Sequence, residues 1–172
     1  MRLNVPIGPD DHVEGGEQWK VTLLEYGDFE CPACGQAYPI VKAVRQQLGP
    51  ALRFVFRHFP LKDVHPHAEA AAWLAEAAAP GGGFWALHDL LYEHQDPLDP
   101  ASLRRYGAAI GLDAAQIDAA LGGAPRARVD ADIDGGVRSG VNGTPAFFID
   151  GERFDGYWDA NGLLRALRAA GA

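Results

Sequence analysis

Only two cysteines occur among the 172 residues, Cys31 and Cys34, and the two-residue gap between them is the strongest constraint in the chain. They sit in Tyr26-Gly27-Asp28-Phe29-Glu30-Cys31-Pro32-Ala33-Cys34-Gly35-Gln36, where an apolar run gives way to an amphipathic one. A Cys-x-x-Cys pair in that setting reads first as a redox dithiol. With Cys31 capping a helix, its sulfur faces unpaired backbone N–H groups and the positive end of the helix dipole, which stabilises the thiolate. Cys34 follows one turn later on the same face, within reach of a disulfide. Pro32 suits the first helical position, where its missing N–H costs nothing. Half of a zinc site and an inert buried pair are the competing readings. Zinc normally takes four ligands, and only His58, His65 and His67 are offered to complete such a set, so no metal site is read here.

With both cysteines used in one motif, no disulfide framework holds the chain, and its length suffices to bury a core without one. Fifteen Lys+Arg against 23 Asp+Glu give a net charge of −8, which argues against an electrostatic nucleic-acid footprint. No run of about 18 apolar residues offers a membrane span. The segment from Met1 to His12 lacks the apolar stretch of a secretory signal, so the expected location is cytoplasmic as written, or periplasmic or extracellular if a signal peptide has been removed.

Residues 1–18 are rich in Gly, Asp and Pro and read as an irregular arm. Val21 to Tyr26 is a short apolar run interrupted only by Glu25, the pattern of a buried central strand. Ala37, Ile40, Val41, Val44 and Leu48 then follow the 3.6-residue helical period, with a kink expected at Pro39 and a stop at Gly49-Pro50. Leu52 to Phe59 reads as a second core strand, parallel to the first. From residue 66 to 124 the pattern is helical throughout: Ala68, Ala71, Ala72 and Ala75 make one stripe, and Phe84, Leu87, Leu90 and Leu91 another. Asp99-Pro100 starts a third helix, and Asp113 with Gln116 forms a capping box for a fourth. Arg126 to Ser139 is helical through Val129, Ile133 and Val137. Ala146 to Ile149 is a strand, Asp150-Gly151 a hairpin turn and Glu152 to Phe154 its returning partner, before a closing helix with Leu163, Leu164 and Leu167.

The order β-α-β, helical block, α-β-β-α, with a dithiol at the first strand-helix junction, is the thioredoxin arrangement. Phe29-Glu30-Cys31-Pro32-Ala33-Cys34, Phe56-Arg57-His58-Phe59-Pro60, His65-Pro66-His67-Ala68 and Gly143-Thr144-Pro145-Ala146-Phe147-Phe148-Ile149 make the chain resemble the DsbA-like branch of the thioredoxin superfamily. The resemblance runs from about residue 12 to the end. It implies an α/β fold, a central mixed sheet flanked by helices, formed by residues 19–65 and 125–172, with an inserted α-helical domain at 66–124. It implies a thiol-disulfide oxidoreductase acting on protein or peptide thiols and disulfides, with an unidentified redox partner and no bound cofactor. Cys31 is then the nucleophile and Cys34 the resolving thiol.

Further roles follow from the same resemblance. Pro145 corresponds to the superfamily's cis-proline beside the dithiol, which turns the Thr144 backbone toward an extended substrate strand. Pro32 matches oxidising members, whereas Ala33 stands where the strongest oxidants carry a histidine. Losing that cation is expected to make Cys31 less acidic and the protein a weaker oxidant, and Glu30 is expected to push the same way. Glu25, buried in an apolar strand, is expected to have a raised pKa and to take the Cys34 proton, and the family carries an acid at the matching position. Phe29, Trp85, Tyr157 and Trp158 are weighed as a substrate surface; all but Phe29 read better as core, and Phe29 is expected to be exposed. His58, His65 and His67 receive no catalytic role, and Asp130, Asp132 and Asp134 read as a solvated helix start. The rival function is a redox-silent thioredoxin-like module that binds peptides or acts as a chaperone.

Overall fold

The computed structural model describes residues 1–172. Five strands form one sheet in the order β1-β3-β2-β4-β5, where β1 is His12–Glu14, β2 Val21–Gly27, β3 Leu52–His58, β4 Ala146–Ile149 and β5 Glu152–Phe154. Only β2 and β3 run parallel; the remaining pairs are antiparallel. β2 lies at the centre and is buried along its whole length, Glu25 included.

Seven helices accompany the sheet: α1 Pro32–Leu48, α2 Ala68–Ala78, α3 Phe84–Glu93, α4 Pro100–Ala109, α5 Ala114–Leu121, α6 Arg126–Arg138 and α7 Ala160–Ala170. Cys34, Ala37, Val41 and Val44 of α1 are buried, and with Leu163, Leu164 and Leu167 of α7 they cover Leu23, Phe54, Phe56 and Phe147. Burial of each valine or leucine contributes about 1.5–3 kcal/mol. The opposite face, Leu24, Tyr26, Val55 and Phe148, meets Phe59, Val141 and Ile133 of α6. Helix α1 continues through Pro39, which lies on its exposed side, and ends at Gly49, whose φ of 52° needs a residue without a Cβ. The expected capping box closes α5: Gln116 N–H donates to Asp113 Oδ1 at 2.8 Å, and Asp113 N–H donates to Gln116 Oε1 at 2.9 Å. The β4–β5 turn has positive φ at both Asp150 and Gly151, the primed hairpin geometry.

The 66–124 helices share one buried cluster with the sheet: Leu74, Leu87, Leu91, Leu103 and Ile117 belong with Leu23, Phe56 and Cys34. One expectation about organisation changes: residues 1–18 are not an irregular arm. His12–Glu14 pairs with β3, Leu3 N–H donates to Gly151 O at 2.8 Å, and the Val5 and Pro6 carbonyls accept from buried Arg57. The sequence offers little apolar periodicity there because the segment is held by polar contacts with distant residues.

Candidate active site

β2 delivers the chain to the mouth of α1, and a short polar loop shapes the junction. Asp28, fully buried, accepts from Glu30 N–H at 2.8 Å, from Leu61 N–H at 2.9 Å and from His65 Nδ1 at 2.7 Å, joining the loop before the cysteines to the one after β3. Cys31 takes the helix N-cap with an extended backbone (φ −70°, ψ 122°), and its carbonyl accepts the first helical bond from Gly35 N–H at 3.0 Å. Pro32 occupies the first turn and is exposed, while Ala33 is half-buried against the core.

Across the sheet, the Thr144–Pro145 bond is cis and both residues are half-buried. The Thr144 carbonyl lies 3.5 Å from Cys31 Sγ, in position to accept from the thiol. The Thr144 hydroxyl is buried with no partner. The inserted helices add one more contact: Gln95, just beyond α3, donates through Nε2 to the carbonyls of Phe29 at 3.0 Å and Cys31 at 2.6 Å. Gln95 Oε1 fills the space a Cβ at Gly35 would need. Nothing in the sequence marked Gln95, which is 64 residues from Cys31; Asp28 was missed as well, its one signal being an acid between the apolar strand and the dithiol.

The two thiols are free and electrostatically opposite. Cys31 is drawn down to about 5: the Cys34 thiol donates to it, and the backbone N–H groups of Ala33 and Cys34 add to this against the cost of burial. Cys34, fully buried, is pushed well above the ordinary thiol range by burial, by its hydrogen bond to Cys31 and by the charge of Glu25. Glu25 is raised to about 8 by burial first and by the Cys31 charge second, with the Arg45 charge opposing. It borders a cavity of about 360 Å³ lined also by Tyr38, Arg45, His88 and Tyr92, which gives the carboxyl a route to water.

Several expected roles move. Phe29 is not exposed: only 1% of it meets solvent, because its ring packs between Phe56 and Tyr92 with His58 and His88 at its edges. It cannot form a substrate surface. Tyr157 is 82% exposed, not core, whereas Trp85 and Trp158 pack partly against the buried cluster. The Glu30 carboxylate accepts from His67 N–H at 2.9 Å. Asp132 is not part of a solvated helix start; it is buried, accepting from His58 N–H at 2.9 Å and from Arg128 at 2.5 Å. His58 joins His12 and Glu76 in a cluster whose donor atoms lie within 4.8 Å of one another, so these residues, and not His65 or His67, are placed to hold a metal ion.

Comparison with known proteins now decides the lineage. The family model described as Thioredoxin matches residues 8–169. The chain belongs to the thioredoxin superfamily. Among solved structures of this superfamily, a thioredoxin-like oxidoreductase from Silicibacter pomeroyi DSS-3 is 26% identical, with a TM-score of 0.82 over 95% of this chain and 93% of that one. BdbD from Bacillus subtilis shares the fold at 17% identity, with a TM-score of 0.84 over 94% of this chain and 92% of that one. In sequence, a protein named Na(+)/H(+) antiporter NhaA 3 from Salinispora tropica is 46% identical over 170 residues. That match covers 98% of this chain, which spans about a quarter (26%) of the relative's length. No helix of the structure is long and apolar enough to cross a membrane.

Proposed function

We propose that this chain is a thiol-disulfide oxidoreductase that exchanges disulfides with protein or peptide substrates through Cys31 and Cys34. The observation that carries the reading is the pairing, at one helix mouth, of an acidic thiol with a buried protonated one. In the reducing direction, the Cys31 thiolate attacks a substrate S–S bond, forms a mixed disulfide and releases one substrate thiolate. Cys34 then loses its proton and attacks the Cys31 sulfur. The Cys31–Cys34 disulfide forms, the second substrate sulfur leaves as thiolate, and two electrons have passed from the protein to the substrate. Run backwards, the same steps oxidise a substrate dithiol. No bound cofactor enters either direction.

Glu25 fits the proton transfer because its affinity for protons depends on Cys31. The Cys31 thiolate is one of the causes that raise Glu25, and that charge vanishes when the sulfur enters the mixed disulfide. Glu25 therefore becomes the stronger acid, and so the more fully ionised carboxylate, at the step where Cys34 must be deprotonated. Thr144, beside Pro145, would hold an extended substrate segment by its backbone. Ala33 supplies no cation next to Cys31, which supports a weaker oxidant than a histidine there would make. The acidity of Cys31 argues against the redox-silent binding module.

The deciding experiment is turnover of insulin disulfides or oxidative refolding with single cysteine variants. Cys31→Ser is expected to abolish turnover, and Cys34→Ser to accumulate mixed disulfides. Full activity in Cys31→Ser would defeat the reading.

A further inference from the structure

We propose that His12, His58 and Glu76 form a binding site for a divalent d-block cation, zinc by preference, at the junction of β1, β3 and α2. Three elements far apart in sequence each supply one donor. His12 Nε2 lies 2.5 Å and His58 Nε2 2.7 Å from the same oxygen, Glu76 Oε1. Two imidazole nitrogens and a carboxylate oxygen, all within 4.8 Å of one another, are the donor set that d-block cations take; calcium and magnesium prefer oxygen alone.

The donors are held in place before any ligand arrives. The His12 ring stacks on Phe84 with centroids 3.5 Å apart and planes 5° from parallel. The His58 ring is 1% exposed and meets Phe29, Phe56 and Phe84 edge-on. Glu76 is buried, and its Oε1 is bonded to both rings. Without metal, ring N–H groups donate to that carboxylate. Metal–ligand bonds of about 2.0–2.2 Å place tetrahedral donors roughly 3.4 Å apart, so each ring nitrogen must draw back from Glu76 Oε1 by roughly 0.7–0.9 Å. The ring protons then reside on Nδ1.

One feature opposes ligation. His58 Nδ1 is buried with no partner, so its proton in the ligated state would lack an acceptor. That costs roughly ten- to a hundredfold in affinity, so this site is weaker than a closed structural zinc centre. The fourth position falls to solvent on the side of His12, which is less buried than His58 or Glu76. A cation there would tie the amino-terminal strand, the central sheet and the inserted helices together, and nothing in this chemistry depends on the cysteines.

The test uses tag-free, full-length Cys31→Ser/Cys34→Ser protein, so that no thiol can hold zinc. After chelation and dialysis against micromolar zinc, one equivalent per chain is expected, with an increase in thermal stability. His12→Ala, on an edge strand, and Glu76→Gln are each expected to weaken binding at least tenfold, with folding verified by circular dichroism. Less than a tenth of an equivalent in the parent would overturn the proposal and leave a purely hydrogen-bonded clamp. So would zinc affinity that both variants leave within twofold, which would place the ion on surface histidines such as His65 or His67.

Discussion

Glu25 and Arg57 are buried ionisable groups on adjacent strands of one sheet, and they are treated in opposite ways. Arg57, on β3, donates to both carboxylate oxygens of Asp11 at 2.7 and 2.9 Å, to the carbonyls of Val5 and Pro6, and to the Tyr26 hydroxyl. Glu25, on β2, faces the dithiol with only the Arg45 charge to oppose its burial, and Arg45 is itself bonded to Glu14. A fully satisfied buried charge holds structure in place. An unsatisfied one is free to exchange a proton, which is why perturbed groups gather at reactive sites.

Arg57→Ala tests the satisfied side and carries the largest expected effect. It strands Asp11 and frees the amino-terminal segment, at a cost of about 3–5 kcal/mol, or a fall of roughly 10 °C in Tm. Denaturant unfolding measures it, and a loss under about 1 kcal/mol would erase the contrast.

Glu25→Gln tests the other side through pH. In the reduced protein Glu25 titrates near 8, against 4.5 for its unperturbed value, so between those values the folded state holds a proton the unfolded chain has lost. Its contribution to stability therefore falls as pH rises through that window, opposite in sign to that of Cys31, which is lowered from 9.0 to about 5. Gln removes the Glu25 contribution alone: parent and variant should match near pH 4, and at pH 8.5 the variant should be more stable than the parent by on the order of a few kcal/mol. The same variant should slow resolution of a preformed mixed disulfide by roughly 100-fold. A variant with the parent's pH–stability slope would remove Glu25 from the role assigned to it.

Cys34→Ala sharpens the electrostatic link between the sulfurs. Without the donated hydrogen bond, the pH midpoint for alkylation of Cys31 should move up from about 5; an unmoved midpoint would assign the acidity to the helix terminus alone. Gln95→Ala is the smallest change, costing about 1–2 kcal/mol of stability through its two lost bonds to the Cys31 loop. It should leave the alkylation midpoint near its parent value.

Much of this site was readable from local pattern. The apolar run Val21–Tyr26, the spacing of Cys31 and Cys34, and the proline after Cys31 each act within a few residues, through alternation, helix period and capping. Glu25 was conspicuous because a carboxyl inside such a run has few ways to reach water. Phe29 was misplaced because an aromatic beside the dithiol looks the same in sequence whether it faces substrate or, as here, Phe56 and Tyr92. Residues 1–18 were misjudged because their order comes from Arg57 and from the β5 side of the sheet, not from any period of their own.

The chain's own pattern therefore determined the order of strands and helices from Val21 onward and the position of two sulfurs at a helix start, because those depend on backbone preferences acting over a turn or two. Folding in three dimensions alone decided that Gln95 reaches the Cys31 carbonyl, that Asp28 joins two loops, and that His12, His58 and Glu76 converge on one point. Which polar atoms meet across tens of residues is set by how packed elements cross, and no local period records that.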